Sequence, residues 1–135
     1  MSQSAIYVVN TSSQTVAAGS TISLGTVIRR FGPNLKVSGN AIQICGNGYY
    51  DIDASITLVP SAAGSVTITA YKDNVAIPGA TATETVAATD TTVNLSLSSM
   101  IREGCSYCNG LSNITFVVSG TAAEILNVAI VMEKK

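Results

Sequence analysis

The chain has 135 residues, of which 47% are hydrophobic but only 5% aromatic and 11% charged, with a formal net charge of -1 and no histidine. That length suits a single domain spanning residues 1–135 and excludes nothing structural, but the missing imidazoles rule out His-based triads, dyads and the usual zinc hydrolase sites. A nucleic-acid surface is excluded too, since phosphate binding needs clustered Lys and Arg, whereas Arg29 and Arg30 form the only adjacent basic pair before Lys134 and Lys135.

From the N-terminus, MSQSAIYVVNTSS has no charged start leading into an apolar stretch of signal-peptide length, and no later segment runs long enough to span a bilayer. With its initial Met and the ending MEKK, the chain reads as a complete small reading frame. Residues 5–10 form a short β-rich run, and 15–18 and 21–24 are brief alternating pieces around Gly19 and Ser20. Residues 27–31 precede a Gly32-Pro33-Asn34 turn. Residues 35–38 and 41–45 flank Gly39-Asn40, a dipeptide that tolerates a tight hairpin.

The clearest signal runs from Gly48 to Lys72, GYYDIDASITLVPSAAGSVTITAYK. Tyr50, Ile52, Ala54, Ile56 and Leu58 share one side, while Tyr49, Asp51, Asp53, Ser55 and Thr57 share the other, the two-residue period of a half-buried strand. After a Pro-Ser-Ala-Ala-Gly corner, Val66, Ile68 and Ala70 continue the core opposite Thr67, Thr69 and Tyr71. Asp73-Asn74 turns into 75–77, Pro78-Gly79 marks a corner, and 80–86 resumes. Residues 91–100 and 113–119 alternate cleanly, and 125–133 closes the chain. No helix of normal length is visible, so short strands with regular turn signals predict an all-β sandwich.

The last strand predicts self-association. Leu126, Val128, Ile130 and Met132 are apolar on one side, and Ile125, Ala129 and Val131 are apolar on the other. A strand covered on one face should not look like this; either a loop or a second copy shields the other face.

The opening GYY-x-I-x-x-S, the AxxGSVTIxxYKDNVxIPG unit, the LSLSSMI and SNITFVVSG strands and the apolar C-terminal strand together resemble the C1q/TNF-like jelly-roll superfamily, in particular bacterial and phage members such as the C-terminal domains of collagen-like exosporium glycoproteins. The resemblance covers the chain from about Gly48 onward. It implies a jelly-roll sandwich of about ten antiparallel strands, with the first, last and Gly-Tyr strands in an inner sheet packed about a threefold axis. Tyr49, Asp51, Asp53, Ile125, Asn127, Ala129 and Val131 would then face neighbouring subunits of a homotrimer. A Gly-X-Y collagen stalk, which the exosporium and C1q members carry, is absent.

Candidate chemistry is sparse. Asp51 and Asp53 leave one strand on the same face about 7 Å apart; they suit an acid-base pair, a Ca²⁺ site given further oxygens, simple solvation, or pairing with Arg29, Arg30 or Arg102 across an interface. Cys105-Ser-Tyr-Cys108 could chelate, bridge or do redox work, but a closed zinc site needs four ligands and only Cys45 remains. No catalytic set, cofactor or metal site follows. The expected function is a non-enzymatic, self-assembling structural or receptor-binding module, a phage or prophage virion component made in the bacterial cytoplasm and released to the exterior; a bacterial cell-surface or spore-coat adhesion module is the alternative. Loops 32–40, 73–80 and 103–112 are expected to meet a host-surface glycan or protein.

Overall fold

The computed structural model describes residues 4–87, 91–104 and 112–135. Its strands are β1 (Ser4–Asn10), β2 (Gln14–Val16), β3 (Thr26–Phe31), β4 (Leu35–Ser38), β5 (Ala41–Ile44), β6 (Gly48–Pro60), β7 (Gly64–Lys72), β8 (Val75–Val86), β9 (Val93–Glu103), β10 (Ser112–Gly120) and β11 (Ala123–Lys134). Sheet A runs β3-β1-β11-β6-β9, with β2 paired to the start of β11, and sheet B runs β4-β5-β10-β7-β8. Every pairing is antiparallel. The two sheets are layers of a sandwich whose core is almost entirely aliphatic.

The alternation of β6 decides its place. Tyr50, Ile52, Ala54, Ile56 and Leu58 are buried, and their neighbours point away from the core. After Pro60 the chain changes layer and β7 sends Val66, Ile68 and Ala70 into the same core from the opposite side. Phe116, Val118 and Ile114 of β10 meet them from the neighbouring strand. With so few aromatics, Tyr50 and Phe116 are the largest fully buried side chains, and branched aliphatics fill the remaining space.

Three expected elements differ. Residues 21–24 do not form a strand of their own; Thr21 makes one bridge to Val117, Ile22 N–H donates to the Phe116 carbonyl at 2.8 Å, and Ile22 and Leu24 are fully buried. The segment thus caps the half of β10 that the short β5 does not reach. The corner expected at Pro78-Gly79 is an irregularity inside one strand: β8 pairs with β7 at Val75 and Ala76 and again from Thr81 to Val86, and the register shifts between Thr69 and Tyr71, leaving residues 77–80 outside the paired register. Pro78 is tolerated there because β8 is an edge strand.

The third difference concerns Ile125. Strict alternation groups it with Asn127, Ala129 and Val131, but the pairing of β11 with β6 slips between Ile125 and Asn127. The bulge inserts one residue and reverses the faces before it. Ile125 is therefore in the core at 0% exposure, and Leu126 is half-buried. Ile125 cannot line an interface on the outer face.

Candidate functional site

Register turns the outer face of sheet A into rows. One row reads Arg29, Tyr7, Val131, Asp53 and Ser98 across β3, β1, β11, β6 and β9; the next reads Thr26, Val9, Ala129, Ser55 and Ser96. A third reads Phe31, Ala5, Glu133, Asp51 and Met100. Short residues at the middle of the face leave an open depression of about 580 Å³ whose lining includes Tyr7, Asp53, Ser55, Ala129 and Val131.

The predicted site residues divide here. Tyr49, Asp51, Asp53, Asn127, Ala129 and Val131 all leave the outward side of β6 and β11, as expected, and only Ile125 does not. Asp53, Ala129 and Val131 meet at the depression. Asp51 instead has a partner within the chain: Lys135 Nζ sits 2.8 Å from its carboxylate, and that hydrogen bond and charge hold the ammonium above its ordinary pKa. Tyr49 lies at the start of β6, where the Arg102 guanidinium stands 5.4 Å from its ring centroid. No group of three or more His, Cys, Asp or Glu able to hold a metal occurs among the described residues.

Tyr7, Val9 and Phe31 join this face although the sequence did not single them out, and Arg29, expected as a cross-interface partner of the aspartates, stands in one row with Asp53. Their alternation was visible, but nothing local shows that β1 pairs with the last strand and β3 with β1. All six residues of β3 are exposed, Ile28 at 49% and Phe31 at 56%. Among the described residues, Val27, Ile28, Phe31, Tyr49, Met100 and Val131 are the large exposed apolar side chains on sheet A, and sheet B shows only Val75.

The outer face of sheet B is polar. Ser65 and Thr85, Thr67 and Thr83, and Thr69 and Thr81 hydrogen-bond pairwise across β7 and β8 at 3.0, 2.8 and 3.1 Å. At its other end Gln43, Asp73, Asn74, Asn113 and Thr115 surround a second depression of about 440 Å³. Loops 32–40 and 73–80 flank it, whereas residues 105–111, with Cys105 and Cys108, lie outside the described residues. Cys45 is disulfide-bonded, which removes its sulfur from any thiolate ligand set.

Two facing antiparallel sheets with the first, last and Gly-Tyr strands adjacent in one of them match solved structures over nearly the whole chain. Murine APRIL superposes with a TM-score of 0.74 at 9% identity, covering 98% of each chain. The fold is a TNF/C1q-like jelly roll. The globular domain of zebrafish complement 1qA gives a TM-score of 0.66 at 6% identity over 96% of this chain and 93% of its own. The vertex protein P5 of PRD1 gives 0.63 at 17% identity, over 99% of this chain and 98% of its own. At such identities the jelly-roll likeness is one of fold. No protein-family model and no curated protein matches the sequence.

Proposed function

We propose that this TNF/C1q-like domain is a non-enzymatic module that assembles as a homotrimer through the outer face of sheet A and serves as a structural or receptor-binding component of a phage virion. The observation that carries the reading is the asymmetry of the sandwich: among the described residues the exposed large apolar side chains, Val75 apart, belong to sheet A, with Val131 lining its outer depression, while sheet B presents mostly hydroxyls and amides. Apolar area that water would otherwise cover is the usual ground of subunit association. A vertex protein of PRD1 shares the fold, which supports the virion setting. The disulfide at Cys45 supports a working life outside reducing compartments, following manufacture in the bacterial cytoplasm.

Sedimentation equilibrium tests the reading. The expected mass is three times 13.8 kDa. Val131→Glu, which adds a charge to the lining of the depression, should release monomers, while Val75→Glu on sheet B, at 69% exposure, should leave the mass unchanged. A wild-type mass of 13.8 kDa at micromolar concentration would overturn it.

A further inference from the structure

We propose that the depression on the outer face of sheet B is a binding site for a neutral hexopyranose unit of a glycan. The inference rests on the reading of the chain as a surface-binding module and gives that reading a ligand class and a location.

The hollow exists because of Ala41. Ala41, the Cα partner of Ser38, lines it with a side chain of one carbon, 9% exposed, beside the longer Gln43 and Thr115. Gln43 and Asn113, Cα partners one row over, supply two planar amides from adjacent strands. Asn74 brings a third amide and Asp73 a carboxylate from the β7–β8 hairpin. Each amide both donates and accepts, and each sugar hydroxyl does the same, so the lining can satisfy neighbouring hydroxyls of one ring.

The walls are fixed in advance. Asp73 and Asn74 both hold left-handed backbone, at φ 50° and 68°, the conformation of a tight two-residue hairpin. Two hydrogen bonds tie that hairpin to β10: Asp73 N–H donates to the Asn113 carbonyl at 2.9 Å, and Asn113 N–H donates to Asp73 Oδ1 at 2.9 Å. Little ordering is left for a ligand to impose. Tyr71, the Cα partner of Thr115, is half-buried on the same face.

The same inventory selects against other ligands. Asp73 disfavours anions such as sialic acid or phosphate, a single carboxylate is too few oxygen ligands for Ca²⁺, and the amide-rich wall gives an apolar peptide nothing to bury against. The site also lies on the layer opposite the proposed trimer contact, so assembly leaves it open.

The test is an amide NMR titration of the full chain with the methyl glycosides of glucose, galactose, mannose and N-acetylglucosamine, each to about 50 mM, because a single-ring ligand binds with a Kd on the order of 1 mM. Saturable shifts are expected from at least one sugar at Ala41, Gln43, Asp73, Asn74, Asn113 and Thr115. Asn74→Gly keeps the left-handed turn and removes the amide, and Thr115→Val keeps the shape and removes the hydroxyl; each should weaken binding by about tenfold. Ala41→Gln should fill the hollow and abolish the shifts. Absence of saturable shifts with all four sugars, shifts confined to another surface, or shifts that survive Ala41→Gln would each overturn the proposal. A monomer that still binds sugar would sink the assembly reading and leave this site standing; a trimer that binds none would do the reverse.

Discussion

Tyr50 is buried with its hydroxyl donating to the Gly46 carbonyl at 2.8 Å. Burial, reinforced by the nearby Glu103 carboxylate, raises its pKa above the ordinary 10.0. An acid whose folded pKa is raised stabilises the fold below its unfolded pKa and loses that contribution as pH rises through the folded value. Thermal stability should therefore fall above about pH 10. Tyr50→Phe should cost about 1 to 2 kcal/mol at neutral pH through the unpartnered carbonyl, and calorimetry should show the gap to wild type narrowing in alkali. A gap that stays constant to high pH would mean the phenol does not titrate with unfolding. Gly120 is constrained differently: at φ 86° any Cβ would collide with the Ser65 carbonyl oxygen, a backbone atom that cannot swing aside. Gly120→Ala should cost more than about 2 kcal/mol in chemical denaturation, whereas Gly79→Ala, with open space around it, should cost no more than about 1 kcal/mol for its positive φ of 81°.

At the scale of elements, the hydroxyl pairs between β7 and β8 hold an exposed edge strand to its neighbour. Thr67 and Thr83 are direct Cα partners with hydroxyls 2.8 Å apart. A cycle of Thr67→Val, Thr83→Val and the double variant should give a coupling of about 0.2 to 1 kcal/mol; single losses that simply add would show the pair to be independent. The β6 and β7 strands were legible in the sequence because each is buried on one side only, and their two-residue period survives unbroken. β11 was less so. Its bulge at Leu126 reverses the faces, and since both faces are rich in aliphatics, hydrophobicity carried no mark of the slip. The polar hollow was half visible: the Asp73-Asn74 turn and residues near Ser38 stood out as loops, but Gln43, Asn113 and Thr115 reach it only through strand pairing. Strand order is a long-range property, and a period of two says which way a side chain points without saying whose it meets.

For the whole molecule, the outer face of sheet A is electrically lopsided. Arg29 stands on the protruding edge strand and Asp53 in the depression, in one row but with β1 and β11 between them, about 14 Å apart at ordinary strand spacing. That is too far for the two to pair within a chain. In a ring each copy offers one patch and receives a different one, so the β3 edge of one subunit can enter the depression of the next and bring Arg29 to Asp53 three times over. Phe31 and Ile28 on the same edge would supply the apolar contact. Arg29→Glu or Asp53→Arg alone should each shift the monomer–trimer equilibrium toward monomer by about tenfold or more, and the double exchange should recover most of the loss. If copies associate in this way, raising the salt should weaken wild-type association and leave the double variant's response similar, since the pair is kept and only its direction is reversed. Single variants that sediment like wild type, or a double variant no better than the worse single, would place the contact elsewhere on the face and leave Val131 and Tyr7 as the groups to probe next.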